Sequence, residues 1–167
     1  MRGAPTGASM DERIWTSAGL ISLGDLYTQF VSGNLGSYAI YYVDPQSMND
    51  SIEGNVQKPF VDTMNITEVF DQSVHQAITI TSEDGLEVTM APNGFLLDIS
   101  DWYPTHVVAN QASATKHYVA ASSGLGGNPG DNLYVRNITG YRMTGSRNIV
   151  TLPTPNMITE NGFVVIC

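Results

Sequence analysis

Short β-patterned runs recur through this chain at intervals of about 8–12 residues, with turn-forming residues between them. The clearest is the hairpin His75–Met90, in which two alternating runs flank the turn Ser82–Gly85. This turn ends in Asp-Gly, where glycine supplies a left-handed residue without Cβ strain. The alternation directs four side chains of the hairpin toward a core: Ile78, Ile80, Leu86 and Val88.

The remaining runs extend the same pattern. The other predicted strands are Tyr38–Val43, Phe95–Ile99, His106–Ala109, His117–Ala121, Leu133–Asn137, Gly140–Thr144, Asn148–Leu152 and Phe163–Ile166. Leu20–Val31 fits either a helix or a pair of short strands, because Gly24 interrupts its apolar face. The sequence therefore predicts an all-β protein, an antiparallel β-sandwich or barrel, with an N-terminal arm or a short helix.

A chain of 167 residues corresponds to one ordinary domain. We expect a flexible leader at residues 1–19. Residues 20–46 are expected to be a linker or the first elements packing on the β domain, and residues 47–167 that antiparallel domain.

Positive charge is missing from the middle of the chain, since no Lys or Arg lies between Lys58 and Lys116 and the net charge is −9. A nucleic-acid-binding protein needs a basic face to neutralise phosphates. The sequence thus predicts no nucleic-acid partner and no membrane insertion. The N-terminus lacks a basic region followed by an apolar run, so no signal peptide and a soluble protein are expected.

The residues best suited to metal binding or nucleophilic catalysis are few. Cys167 is the only cysteine, which excludes an intramolecular disulfide and a cysteine zinc site, and we expect it to be a small buried group ending the strand Gly162–Cys167. His75, His106 and His117 lack metal-ligand spacing and are interpreted as structural. No G-x-S-x-G elbow and no phosphate loop occurs. The expectation is therefore no catalytic residue, no enzymatic activity and no cofactor.

Two carboxylates next to an aromatic turn are the exception. Asp98 and Asp101 flank a strand end beside Trp102. Such a pair suits glycoside hydrolysis, or oxygen ligation of a calcium ion. The alternative, which we favour, is a turn after Phe95–Ile99 that Asp101 caps.

Exposed turns are the expected contact sites. Ser122–Asn132 is rich in Gly, Pro and Asn and is predicted to be a long surface loop. Loops on a rigid β scaffold commonly carry recognition. We therefore predict receptor or glycan contact from four residues: Trp102, Tyr103, Asn128 and Asp131.

The segment Ser22–Tyr27 (SLGDLY) resembles the last strand of the jelly-roll shell domain in capsid proteins of small non-enveloped RNA viruses. The resemblance implies a protruding capsid domain on the virion surface, which forms a homodimer or higher oligomer and attaches to a host receptor or glycan. A carbohydrate-binding module or phage-fibre-like tip is the alternative, and a small β-fold glycoside hydrolase is a third hypothesis.

Overall fold

The computed structural model describes residues 6–44, 61–98, 105–111, 118–122 and 133–167. Strands dominate these residues, so the all-β prediction is confirmed. The strands, in chain order, are β1 (Ala8–Ser9), β2 (Arg13–Thr16), β3 (Gly19–Ser22), β4 (Ala39–Val43), β5 (Val61–Asn65), β6 (Phe70–Ser82), β7 (Glu87–Met90), β8 (Phe95–Asp98), β9 (Thr105–Val108), β10 (Tyr118–Ser122), β11 (Leu133–Thr151), β12 (Asn156–Ile158) and β13 (Val164–Ile166). A helix, α1 (Leu23–Val31), and a 3₁₀ turn, Ala109–Gln111, accompany them.

The larger sheet has nine strands, with the path β1-β7-β6-β11-β10-β8-β13-β12 and β9 attached to β8. Its antiparallel centre is the pair β6 and β11. Strand β1 pairs with β7 on one side and with the end of β11 on the other. The pairs β1–β7, β7–β6, β6–β11 and β11–β1 therefore close on themselves, and β1 is one strand of this closure.

The predicted hairpin His75–Met90 is present as β6 and β7. Ile78, Ile80 and Val88 are fully buried, and Leu86 packs against them partly buried. At the turn Gly85 has φ +81° and its N–H donates to the Ser82 carbonyl at 3.0 Å.

Strand β11 corrects the prediction of three separate strands between residues 133 and 152. Gly140, predicted to begin a strand, and Gly145, between two predicted strands, have φ +152° and +83° and lie at irregularities of one continuous strand. Glycine in a strand commonly marks a bulge, because it adopts these angles without Cβ strain. Pairing with β6 continues on both sides of each bulge, so the strand does not end.

The smaller sheet, β3-β2-β4-β5, and α1 come from the first part of the chain. The range 1–19, predicted to be a flexible leader, includes β1 and β2, and its Ala8 and Ile14 are fully buried. The predicted boundary between residues 46 and 47 lies outside the described residues.

The segment Ser22–Tyr27, which resembles a strand of capsid proteins in sequence, forms the start of helix α1 in the structure. The Ser22 side chain accepts a hydrogen bond from the Asp25 N–H at 3.0 Å and caps α1. Leu23 and Leu26 follow on the buried face of the helix. SLGDLY is therefore a helix start, not the strand that the resemblance requires.

One buried amide joins the two sheets. Asn156, in β12, accepts a hydrogen bond from the Val43 N–H at 2.7 Å and donates one to the Val43 carbonyl at 2.8 Å. Since Asn156 is fully buried, both halves of its amide and both backbone groups of Val43 are satisfied without water. In the described part of the chain, no helix is both long and apolar enough to span a membrane.

Candidate functional site

The first described residues are held tightly at the end of β11. The carbonyl of Gly7 accepts a hydrogen bond from the Ala91 N–H at 3.3 Å. Gly7 has φ +106°, and a Cβ added there would lie 2.2 Å from the Val150 carbonyl oxygen and 3.1 Å from the Thr151 Cβ. Position 7 therefore has no room for any side chain unless the backbone moves.

The last residue of the chain lies close to the segment that follows β11. Cys167 follows β13, packs against the main core, and its thiol accepts a hydrogen bond from the Thr154 hydroxyl at 3.7 Å. Burial raises the pKa of the Cys167 thiol, while the Leu152 backbone and the Thr154 and Thr151 hydroxyls act in the opposite direction. A raised pKa lowers the thiolate fraction and hence nucleophilic reactivity at neutral pH.

Gly7 thus lies against Val150 and Thr151, and Cys167 is hydrogen-bonded to Thr154, three residues further along the chain. We call this arrangement the terminal junction and define it as Gly7, Val150, Thr151, Thr154 and Cys167. The sequence predicts Gly7 in a leader, Val150 and Thr151 in the strand Asn148–Leu152, and Cys167 in the strand Gly162–Cys167. No local pattern could have joined them, because their proximity depends on the pairing of β1 with β11.

A partly buried carboxylate lies close to the start of β2. Glu12 accepts a hydrogen bond from the Thr89 N–H at 2.8 Å. Burial is the main cause that raises the pKa of Glu12, and the negative charges of Glu160, Asp11 and Glu87 add to it. Two of these neighbours are themselves in exposed ion pairs, Glu160 with Arg13 and Glu87 with Arg142.

Most of the residues predicted to contact a receptor or glycan, or to bind a metal ion, lie outside the described part of the chain. Asp101, Trp102, Tyr103, Asn128 and Asp131 lie outside the described residues. Asp98 is buried at the end of β8, opposite Thr105 of β9 and Val119 of β10. Receptor or glycan contact and calcium binding therefore stay predictions.

Metal-binding side chains do not gather in the described part of the chain, where no group of three or more His, Cys, Asp or Glu residues could hold an ion. Of the histidines, His75 is exposed on β6, and nothing is described of the side chains of His106 and His117.

Solved structures resemble this fold over nearly its whole length. The DnaB intein from Synechocystis sp. PCC 6803 has a TM-score of 0.73 and 15% identity, covering 98% of this chain and 99% of its own. The TvoVMA intein has a TM-score of 0.74 and 13% identity, covering 96% of each chain. The DnaX mini intein from Spirulina platensis has a TM-score of 0.64 and 12% identity, covering 96% of this chain and 98% of its own.

The chain has the intein fold. No protein-family model matches the sequence, and no curated protein does either. The predictions of a capsid protrusion on a virion surface, of a carbohydrate-binding module and of a small glycoside hydrolase are therefore wrong. Hairpins, neutral polar surface and Gly-rich loops suit many β folds, so they did not distinguish the intein fold from a capsid domain.

The intein fold also bears on the expectation of no catalysis. Inteins are self-splicing, autocatalytic domains, and the likeness to them does not show a conventional enzyme activity for this chain.

Proposed function

We propose that this chain is an intein-type domain that holds the polypeptide segments on its two sides next to each other without splicing them. The proposal rests on the fold and on one observation: Gly7 lies against Val150 and Thr151, while Cys167 is hydrogen-bonded to Thr154, three residues further along the chain. A domain with this arrangement can be inserted in a host chain with little change in the distance between the flanking parts.

The chemistry of position 7 supports the non-splicing part of the proposal. Self-cleavage of a peptide bond needs a nucleophile beside it, and Ser, Thr and Cys side chains are the usual ones. Gly7 has none, and a Cβ at position 7 would lie 2.2 Å from the Val150 carbonyl oxygen. Ser9, two residues further on, is buried, and its hydroxyl oxygen accepts a hydrogen bond from the Asp11 N–H at 3.3 Å.

A second candidate function is thiol-dependent processing, which one observation favours: the only thiol of the chain lies at the terminal junction. In that reaction the Cys167 sulfur attacks the Thr6 carbonyl carbon. The bond to the Gly7 nitrogen breaks, the Gly7 amine takes up the proton, and a thioester links the first segment to Cys167. The raised pKa of the Cys167 thiol opposes this reaction at neutral pH.

The test uses the full chain with one fluorescent domain fused before Met1 and another after Cys167. The non-splicing proposal predicts one intact fusion of full mass, with efficient energy transfer between the two fluorophores. Cys167→Ala should leave both the mass and the energy transfer unchanged.

Cleaved or joined products that disappear in Cys167→Ala would support thiol-dependent processing and overturn the non-splicing proposal. Cleaved or joined products that persist in Cys167→Ala would reject both functions. An intact fusion with energy transfer no higher than that of a fusion unfolded in urea would show that the two flanking segments are not held together.

A further inference from the structure

A groove beside the end of β1 is separate from the terminal junction. It has a volume of about 340 Å³ and lies where β6 and β11 lose their regular pairing. The polar residues that line it are Asp11, Ser73, His75, Ser146, Arg147 and Asn148. The register shifts between Gly145 and Arg147, because the single residue Ser146 of β11 faces two residues of β6, Gln76 and His75. A bulge of this kind turns side chains away from the regular pattern of the sheet and is frequent beside binding sites.

Arg147 differs from the other arginines of the described part of the chain. The other three are held by protein groups: Arg13 by Glu160, Arg142 by Glu87, and Arg136 by the carbonyl of Asn161. The Arg147 guanidinium donates one hydrogen bond, to the Ser146 carbonyl at 2.8 Å. A guanidinium has five N–H donors, so donors remain for a group in the groove.

The groove also contains a charge of opposite sign. Asp11 is exposed and lines the same cavity as Arg147. Among the described residues the ion pairs are those of Arg13 and Arg142, so Asp11 and Arg147 do not pair with each other. One cavity therefore presents a cation and an anion that remain open to an external partner.

The serine hydroxyls add acceptors. Ser73 donates to the Asn148 side-chain oxygen at 2.9 Å, and Ser146 donates to the His75 carbonyl at 3.0 Å. Both hydroxyl protons are thus engaged, which leaves the serine lone pairs and the Asn148 NH₂ group for a ligand. Because neither hydroxyl donates to the His75 imidazole, the arrangement suits binding and not nucleophilic catalysis.

We propose that this groove binds a small zwitterion of the amino-acid or dipeptide class. The ligand's carboxylate pairs with the Arg147 guanidinium, whose planar fork matches a carboxylate. Its ammonium group lies toward Asp11 and the serine oxygens. The cavity volume is at the lower end of small-molecule sites, about 300–1,000 Å³, which is consistent with a ligand of this size.

The experiment compares three matched probes by NMR titration of the full chain. Glycylglycine carries both charges, N-acetylglycylglycine only the carboxylate, and glycylglycine amide only the ammonium group. Glycylglycine should bind about tenfold more tightly than either singly charged probe, since each charge-assisted contact is worth about 1.4 kcal/mol or more.

Variants test which charged side chains contribute to glycylglycine binding. Arg147→Gln and Asp11→Asn should each weaken glycylglycine binding about tenfold, and Asp11→Asn should leave N-acetylglycylglycine binding equal or tighter. Arg142→Gln is the matched control on the same strand and should change nothing. Equal binding of the three probes, no binding of glycylglycine, or an equal loss in Arg142→Gln and Arg147→Gln would overturn the proposal.

Discussion

The β6–β7 turn and the terminal junction both depend on a glycine with positive φ, yet the two glycines have different surroundings. At Gly85, with φ +81°, nothing lies within 4 Å of an added Cβ. At Gly7, with φ +106°, the same atom would lie 2.2 Å from the Val150 carbonyl oxygen. Gly85 is therefore required by its own backbone angles, whereas Gly7 is required by its angles and by a strand more than a hundred residues away in the chain.

Local sequence specifies the turn but not the terminal junction. The turn Ser82–Gly85 and its two runs are contiguous, so composition and alternation identify the hairpin. The terminal junction is made by segments that meet only after β1 has paired with β7 and β11. Its residues have no common local pattern, although it is packed more tightly than the turn.

The largest effect is expected from Gly7→Ala. The positive φ costs about 1–2 kcal/mol for an L-residue, and relieving the contact with the Val150 carbonyl adds an overpacking cost of about 1–3 kcal/mol. Urea denaturation should therefore show a loss of about 2–5 kcal/mol in the free energy of unfolding. A loss no larger than that of Gly85→Ala would contradict the close approach of β1 to β11.

Asn156→Ala should be the next most damaging change. It removes both hydrogen bonds to Val43 and leaves a buried N–H and a buried C=O without partners, at about 1–3 kcal/mol each before relaxation. We expect a loss of about 2–4 kcal/mol in urea denaturation.

Asn137→Ala is the control for this change, because the Asn137 amide donates at an exposed site to Glu83 and should cost about 0.5 kcal/mol or less. Equal losses in the two variants would show that the sheets are not joined through Asn156.

Gly85→Ala sharpens the comparison with Gly7. Because nothing lies near the added Cβ, the only cost is that of a positive φ in an L-residue. The free energy of unfolding should fall by about 1 kcal/mol. Gly85→Val should be worse, because a β-branched residue tolerates positive φ poorly. Unchanged melting temperatures in both variants would show that the turn does not need its left-handed residue.

The smallest expected effect is an increase in stability, from Glu12→Gln. The pKa of Glu12 is raised above its ordinary value of 4.5, mainly by burial, so the folded state disfavours the charged form. The group's stabilising contribution is full below about pH 4.5 and is lost as the pH rises through the folded-state pKa. Glutamine keeps an oxygen for the Thr89 N–H without this charge.

Melting curves between pH 4 and pH 7 provide the measurement. Glu12→Gln should raise Tm by about 2–4 °C at pH 7, the shift that about 1 kcal/mol produces in a chain of this size, and by much less at pH 4. Glu68→Gln, at an exposed site, should leave Tm nearly unchanged. A gain that is larger at pH 4 than at pH 7 would contradict the assigned sign.

Predictions from the sequence succeeded where a segment and its partner are neighbours in the chain. The hairpin His75–Met90 and its buried Ile78, Ile80 and Val88 are examples. They failed in β11, which was predicted as three strands. Gly140 and Gly145 lie at bulges of one strand, and pairing with β6 continues on both sides of each bulge. The sequence of Leu20–Val31 fits either a helix or two short strands, because Gly24 weakens the helical pattern. In the structure the packing of Leu23 and Leu26 stabilises the helix.

The amino-acid sequence by itself determined that this protein is built from antiparallel strands, because alternation and turn residues act over a few positions and need no distant partner. Three features appear only in the tertiary structure: Gly7 and Cys167 both lie close to residues 150–154, Asn156 joins two sheets, and the fold is that of an intein. The contacts of Gly7 with Val150 and of Val43 with Asn156 join residues more than a hundred positions apart. Their stability arises from burial and close packing that exist only in the folded chain.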